Sequence, residues 1–348
     1  MASLSQLKFA MVLSIFLSAF IFGLLMFAIV FFLEFDAFTG MLVALGGSSL
    51  FILFQYAVGP IIVAATARLH YLKPGENPWL ESTVKELADK TGLPMPKLAT
   101  VPSNAPNAFT FGRTTSSATL AVHDGLLQQL NQNEIKGVIA HELGHIKHKD
   151  YIIMTVLSAL PLIAYMIAQV TLRAGAFSSV GRRNNKDNSG IALIIIGVIS
   201  FAVYIITFLI VMRLSRLREH YADAYSAYVT GSPRELASAL TKITYGLSIS
   251  PKPPEGARAF YIEDPAMAKQ DVQRIIKNKN QYDLDKDGVL DARELELAME
   301  KEAKSTWVQM NHLFATHPPT FKRILLLREI EQEMATGNYS NDKMYNHV

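Results

Sequence analysis

The sequence contains no cysteine among its 348 residues, which excludes disulfide scaffolds, thiolate nucleophiles and cysteine metal ligands together. It is also poor in charge. Acidic and basic residues make up 18% of the chain against 50% hydrophobic, and 33 Lys plus Arg nearly balance 30 Asp plus Glu for a net +3. So small a charge, with no Lys/Arg block interleaved with aromatics, excludes nucleic acid as a partner. Charge is missing altogether from four stretches, Met11–Leu33, Ala37–Ala67, Tyr151–Leu172 and Ile191–Met212, of 23, 31, 22 and 22 residues. A bilayer crossing takes about 20 apolar residues, and a soluble core helix seldom runs so far without a charge. The four stretches read as transmembrane helices, and a soluble globular protein is excluded.

The first stretch is too long for the apolar region of a signal peptide, and no small-residue cleavage site follows it. It reads as an uncleaved anchor. The spans pair as two hairpins, the first joined by Glu34-Phe35-Asp36 and the second by the polar loop Gly181–Gly190. Gly59-Pro60 lies inside the long second stretch and predicts a tilt or kink there. Lys8, Arg68, Lys73, Lys147, Lys149, Arg213, Arg216 and Arg218 flank the spans on one side, which the positive-inside bias makes cytoplasmic. Arg173, Arg182, Arg183 and Lys186 argue the other way and are outnumbered. The expected location is a multi-pass cell-membrane protein with its polar part in the cytoplasm.

The polar remainder divides into 68–150 and 213–348, so the chain is expected to run as a hairpin (1–67), a first catalytic part (68–150), a second hairpin (151–212) and a second catalytic part (213–348). Leu80, Val84, Leu87 and Ala88 recur at helical spacing within Trp79–Thr91, and Gly92-Leu93-Pro94 stops the helix. Lys97–Val101, Ala108–Phe111 and Thr119–Val122 read as short strands between Asn, Pro and Gly. Helices are predicted from Asp124, from Glu134 with Asn133 as its cap, and over Arg234–Tyr245 behind Ser232-Pro233. Residues 266–335 read as mostly helical.

The sharpest local signal is His141-Glu142-Leu143-Gly144-His145. Histidines four apart on a helix project from one face and can converge on a single zinc ion. Glu142, beside that face, is placed to polarise and deprotonate a water activated by the metal. No third histidine follows at a short spacing, because Asp150 and Tyr151 run straight into an apolar stretch. Glu219 and Asp223 share a helix face in Arg218–Asp223; Glu219 is the candidate third ligand, with His220 as its rival about 100° away, and Asp223 a candidate to orient a ligand histidine. Asp150 reads as a cap or an ion-pair partner for an arginine of 213–218, and His148 as a polar rim residue.

A second motif stands apart. Residues 283–294 fit a calcium-binding EF-hand loop, with carboxylates at Asp283, Asp285, Asp287, Asp291 and Glu294, glycine at Gly288 for the sharp turn, and Val289 offering its carbonyl. Helical patterns flank it, Met267–Asn278 before and Ala292–Lys304 after, so an EF-hand-like insertion is expected over about 266–304. There is no second copy in the chain.

Taken in order, these motifs resemble those of the HtpX-like membrane zinc metalloproteases, relatives of the CAAX prenyl endoproteases. Asn107-Ala108-Phe109 is similar to that family's Asn-Ala-Phe segment, His141–His145 with Asp150 to its His-Glu-x-x-His helix, Glu219–Asp223 to its Glu-x-x-x-Asp, and His317-Pro318-Pro319 with Arg323 to its His-Pro-Pro-x-x-x-Arg. The resemblance implies zinc on His141, His145 and Glu219 and Glu142 as general base. It further implies an edge strand at Asn107, Ala108 and Phe109 that aligns extended substrate, His317 stabilising an oxyanion, and Arg323 paired with an acidic group such as Asp223. From the residues alone, His317 is equally a helix-start residue.

The expected fold is thus a mainly α membrane protein, with four transmembrane helices, a cytoplasmic α+β gluzincin-type zinc metallopeptidase domain and a small EF-hand-like insertion. The implied activity is zinc-dependent endoproteolysis of membrane or misfolded proteins, with polypeptide and lipid bilayer as partners; the loop at 283–294, which the family pattern does not require, adds Ca²⁺ as a second expected cofactor. Two alternatives stay open: a narrow-specificity processing protease for membrane or lipid-modified substrates, and a calcium-responsive membrane scaffold with a structural zinc site.

Overall fold

The computed structural model describes residues 4–32, 34, 36–180, 189–250, 261–284, 294, 297–298, 301, 315–337, 339–340, 344–345 and 348. In chain order its elements are α1 (Leu4–Phe32), α2 (Ala37–Thr66), β1 (His70–Tyr71), α3 (Pro78–Thr91), β2 (Lys97–Val101), β3 (Ala108–Phe111), β4 (Thr119–His123), α4 (Asp124–Gln129), α5 (Gln132–His148), α6 (Asp150–Val180), α7 (Ser189–Thr230), α8 (Pro233–Ile249), α9 (Pro265–Lys277) and α10 (Thr320–Ala335). They sort into two units. One comprises residues 8–59 and 152–214, the other 1–7, 60–151 and 215–348.

Four helices among the described residues, drawn from α1, α2, α6 and α7, are long and apolar enough to cross a membrane. The first unit shows why they suit one. Phe22, Leu25, Leu160, Ala164 and Val203 form its small core, while Phe16, Phe27 and Leu50 stand exposed at about 70%, a cost in water that hydrocarbon removes. Polar side chains on these helices bond locally or to each other: the Ser200 and Thr207 hydroxyls donate to carbonyls one turn back, and Gln55 Nε2 donates to Ser158 Oγ at 3.2 Å. α2 continues unbroken through Pro60 and α6 through Pro161.

The second unit is mixed α/β. Its sheet runs β1-β2-β4-β3, with β2 and β4 parallel and the other pairs antiparallel. Two-residue periodicity divides the side chains cleanly. Leu98, Ala108, Leu120 and Val122 face a core built with Leu80, Val84 and Leu87 of α3, Val138, Ile139 and Leu143 of α5, and Leu236 and Leu240 of α8. Val101, Phe109, Phe111 and Ala121 face the other way and are covered by Val63, Ala64, Ala67 and Leu69. Both faces are therefore occupied. Among the described residues β3 pairs only with β4, which leaves its outer edge as the sheet's margin.

Three local expectations are corrected. α5 is capped by Asn131, not Asn133. Asn131 Oδ1 accepts the N–H groups of Asn133 and Glu134, and Glu134 Oε2 accepts the N–H of Asn131 at 2.8 Å, a reciprocal box that a start at Asn133 could not close. The two-residue strand β1 carries no periodicity of its own and was not predicted. α8 extends to Ile249, four residues beyond the expected end, although Ser232 and Pro233 open it as expected. The connector 251–260, most of the 181–190 loop, and Asp285, Asp287, Gly288, Val289 and Asp291 lie outside the described residues.

Candidate metal centre

α5 carries His141 and His145 on one face, with ring centroids 4.7 Å apart and planes nearly perpendicular. Their Nε2 atoms lie 3.1 Å from each other. α7 supplies Glu219, whose Oε2 is 3.3 Å from His141 Nε2 and whose Oε1 is 3.5 Å from His145 Nε2. These three donors form a compact group able to hold a metal ion, all within 4.8 Å of one another. His220, the rival ligand, is not among them.

The close packing has a local cause in the motif itself. A Cβ on Gly144 would stand 3.1 Å from Tyr225 Cδ1 and 3.2 Å from Ala222 Cα. Glycine between the two histidines lets α7 come near enough for Glu219 to reach them.

Each histidine is held from behind by a carboxylate, and each carboxylate by an arginine. His141 Nδ1 is 2.9 Å from Asp223 Oδ1. Arg323 donates to both Asp223 oxygens, from Nε at 2.8 Å and Nη2 at 2.7 Å, and from Nη1 to the Ile262 carbonyl at 2.6 Å. His145 Nδ1 is 2.7 Å from Asp150 Oδ2, and Arg218 Nε forms an ion pair with Asp150 Oδ1 at 3.0 Å. With Nδ1–H committed to a carboxylate, each ring presents its Nε2 lone pair forward.

This arrangement tests whether zinc fits. Two imidazole nitrogens and a carboxylate, all acceptors, converge in a buried site where only a cation satisfies them together. The donor types and number match a hydrolytic zinc, which uses three protein ligands. The residues fit the ion.

Glu142 lies beside the cluster and is buried; burial pushes its carboxyl up, against the pull of the His145 and His141 charges, and the Thr110 hydroxyl bonds to it from β3. His317 is buried too, with Nδ1 2.8 Å from the Thr316 hydroxyl and Nε2 3.8 Å from Glu219 Oε1. Burial lowers its imidazole to about 4, so it is neutral. Its segment is tied to α7 by Arg216 Nη1, which donates to the Ala315 carbonyl at 2.9 Å.

The sequence profile of Peptidase family M48 matches residues 74–331. The chain belongs to that family. Its relatives include proteins named Protease HtpX homolog from Methanothermobacter thermautotrophicus, 40% identical over 57% of this chain and 71% of that protein, from Aeropyrum pernix, 33% identical over 79% and 82%, and from Thermococcus sibiricus, 35% identical over 85% and 88%. The crystal structure of S. mikatae Ste24p is 17% identical with a TM-score of 0.48, covering 91% of this chain and 64% of that one, less than two thirds of its length. This M48 protein is an HtpX-like membrane zinc metalloendopeptidase.

The residues expected at its centre fall into place unevenly. His141, His145, Glu219, Asp223, Asp150, Glu142, His317 and Arg323 come together. Ala108 and Phe109 lie in β3 and Asn107 directly precedes it; the side chains of all three are buried, Asn107 completely. His148 is no rim residue, being caged by Tyr221, Tyr225 and Tyr345, the last at 2.8 Å from its Nε2. Thr110 was not foreseen, though strand alternation puts this polar side chain on the same core-facing side as Ala108 and offered a signal.

Proposed function

We propose that this M48 peptidase acts in protein quality control, cutting internal peptide bonds of unfolded or membrane-released segments on the cytoplasmic side. The observation that carries the reading is the convergence of His141, His145 and Glu219 beside the buried Glu142. Three protein donors converge among the described residues, rather than the four of a structural site, which also favours hydrolysis over a scaffold role. An extended substrate would lie along the outer edge of β3 and pair with the main chain of Ala108, the Asn107 carbonyl being taken by the His123 N–H of β4.

His141, His145 and Glu219 would hold zinc, which supplies Lewis acidity toward water and the scissile carbonyl. Glu142, kept basic by its dry surroundings, takes the proton from the attacking water and passes it to the leaving amine. Neutral His317 turns Nε2 toward Glu219 of the cluster; with Nδ1 accepting the Thr316 hydroxyl, Nε2–H would be available to the oxyanion. Asp223 and Asp150 hold the ligand rings in the required tautomer throughout.

Detergent-purified protein with an unfolded reporter such as casein tests this. Glu142→Gln should bind one zinc per chain like the parent and cleave nothing; undiminished cleavage by that variant refutes the assignment. Glu219→Ala should lose zinc. Protease accessibility of 68–150 in inside-out vesicles checks the side of the membrane.

We also propose that residues 283–294 bind one Ca²⁺. The complete set of EF-hand ligand types supports this, as does the bond from Leu284 N–H to Glu294 Oε1 at 2.6 Å, which brings the two ends of the loop together. Ile275, Tyr282 and Ala298 pack with Phe321 of α10, so the site would brace the helix that carries Arg323. CaCl₂ should raise the melting temperature more than equal MgCl₂ does, and Glu294→Ala should remove the difference.

A further inference from the structure

We infer that Asn107 is a positioning residue of the metal centre, acting through the main chain of Ile262, and that its side chain does not contact substrate. Its side chain is fully buried. Nδ2 lies 3.5 Å from His123 Nε2, and Oδ1 accepts the Ile262 N–H at 2.9 Å. His123 dictates this orientation. Its Nδ1 is 3.0 Å from the Ala105 carbonyl, which can only accept, so Nδ1 carries the proton and Nε2 is an acceptor. Asn107 must then turn its NH₂ toward His123 and its oxygen toward Ile262. Burial, opposed by the Ala105 bond, lowers His123 to about 4 and keeps that pattern intact at neutral pH.

From Ile262 the connection runs to the ligand in three further links. Its carbonyl accepts Arg323 Nη1, the other guanidinium nitrogens hold Asp223, and Asp223 holds His141 Nδ1. Every member is buried. The neighbouring residues tie the same segment to the start of α10: Glu263 Oε2 accepts the Thr320 hydroxyl at 2.7 Å, three residues beyond His317, and Asp264 caps α9. Residues 262–264 thus anchor both Arg323 and the segment that delivers His317, and Asn107 fastens them to the sheet beside β3. Without Oδ1, a buried N–H is left without that acceptor, and the segment must shift, taking the Ile262 carbonyl and the guanidinium with it.

The test measures zinc affinity by chelator competition, together with kcat and KM on casein, for the parent, Asn107→Ala and Asn107→Asp. Positioning predicts that Asn107→Ala weakens zinc binding and lowers kcat by about ten- to a hundredfold, the usual loss when the support of a ligand is removed, with KM within about twofold. Asn107→Asp retains an oxygen for the Ile262 N–H but turns an acceptor toward the His123 Nε2 lone pair, so it should recover only part of the zinc affinity. A raised KM with parental zinc affinity and kcat makes Asn107 a substrate contact and overturns the inference. Where Asn107→Ala yields no folded protein, Asn107→Ser takes its place. The order parent, Asp, Ser in zinc affinity then supports the relay, and equal affinities overturn it. The inference rests on the zinc site and not on the identity of the substrate; a parent protein that binds no zinc would fail the site itself, separately from Asn107.

Discussion

Removal of Arg323 strands a buried carboxylate and a buried carbonyl. This arginine is fully buried and places three nitrogens on Asp223 and the Ile262 carbonyl. Arg323→Met preserves much of the volume but leaves the Asp223 carboxylate facing only His141. Breaking a buried ion pair from one side costs about 3–5 kcal/mol. At about 2–4 °C per kcal/mol for a unit of this size, melting should fall by roughly 6–20 °C. The scan is run in chelator, so that lost zinc does not add to the shift. Adding Asp223→Leu removes the stranded charge, and replacing both members of a buried pair by apolar groups is often neutral. The double variant should therefore melt near the parent while binding zinc about ten- to a hundredfold more weakly, because His141 has lost its support. Stability and metal affinity part company in one step. An Arg323→Met protein that melts with the parent, or a double variant with parental zinc affinity, refutes the reasoning.

Gly144→Val should push α5 and α7 apart, costing about 1–3 kcal/mol by overpacking and weakening zinc binding, both read by chelator titration against melting. Thr110→Val keeps the shape of the strand but removes the hydroxyl on Glu142; a bond to a charged group contributes about 1.5–3 kcal/mol, so kcat should fall at least tenfold with zinc content unchanged. His148 is pushed down to about 4 by burial. The unfolded imidazole takes a proton below about 6.5 while the folded one resists until about 4, so its share of stability is complete above the first value and lost as pH falls toward the second, by about 3 kcal/mol. His148→Gln, which cannot charge, should flatten the stability profile between pH 6.5 and 4 in denaturant titrations.

Much of this was legible because it was local. Absence of charge marked the four long helices, and a four-residue spacing put His141 and His145 on one face without any tertiary information. The approach of Glu219 and Asp223 depended on a glycine, and that too stood inside the motif. What escaped lies at long range. The Asn107–Ile262 bond joins residues 155 apart in sequence, and no periodicity reports such a partner. Asn107 illustrates the difficulty: the resemblance assigned its segment to an edge strand, but which way an asparagine turns at a strand's start depends on what His123 and Ile262 offer it. β1 was missed for a related reason, since two residues cannot display a period and owe their pairing to β2.

The paired backing of the ligands has an electrical consequence. With both imidazoles neutral as metal ligands, His141–Asp223–Arg323 and His145–Asp150–Arg218 each carry one negative charge cancelled by one positive. Glu219 and Glu142 add two further carboxylates to the same dry volume, and Arg323 Nη2 also reaches Glu219 Oε2 at 3.7 Å. A divalent cation suits a site of this charge better than a monovalent one. The arginines behind Asp223 and Asp150 thus keep the charges of these two carboxylates out of the balance at the metal, although neither carboxylate is a ligand.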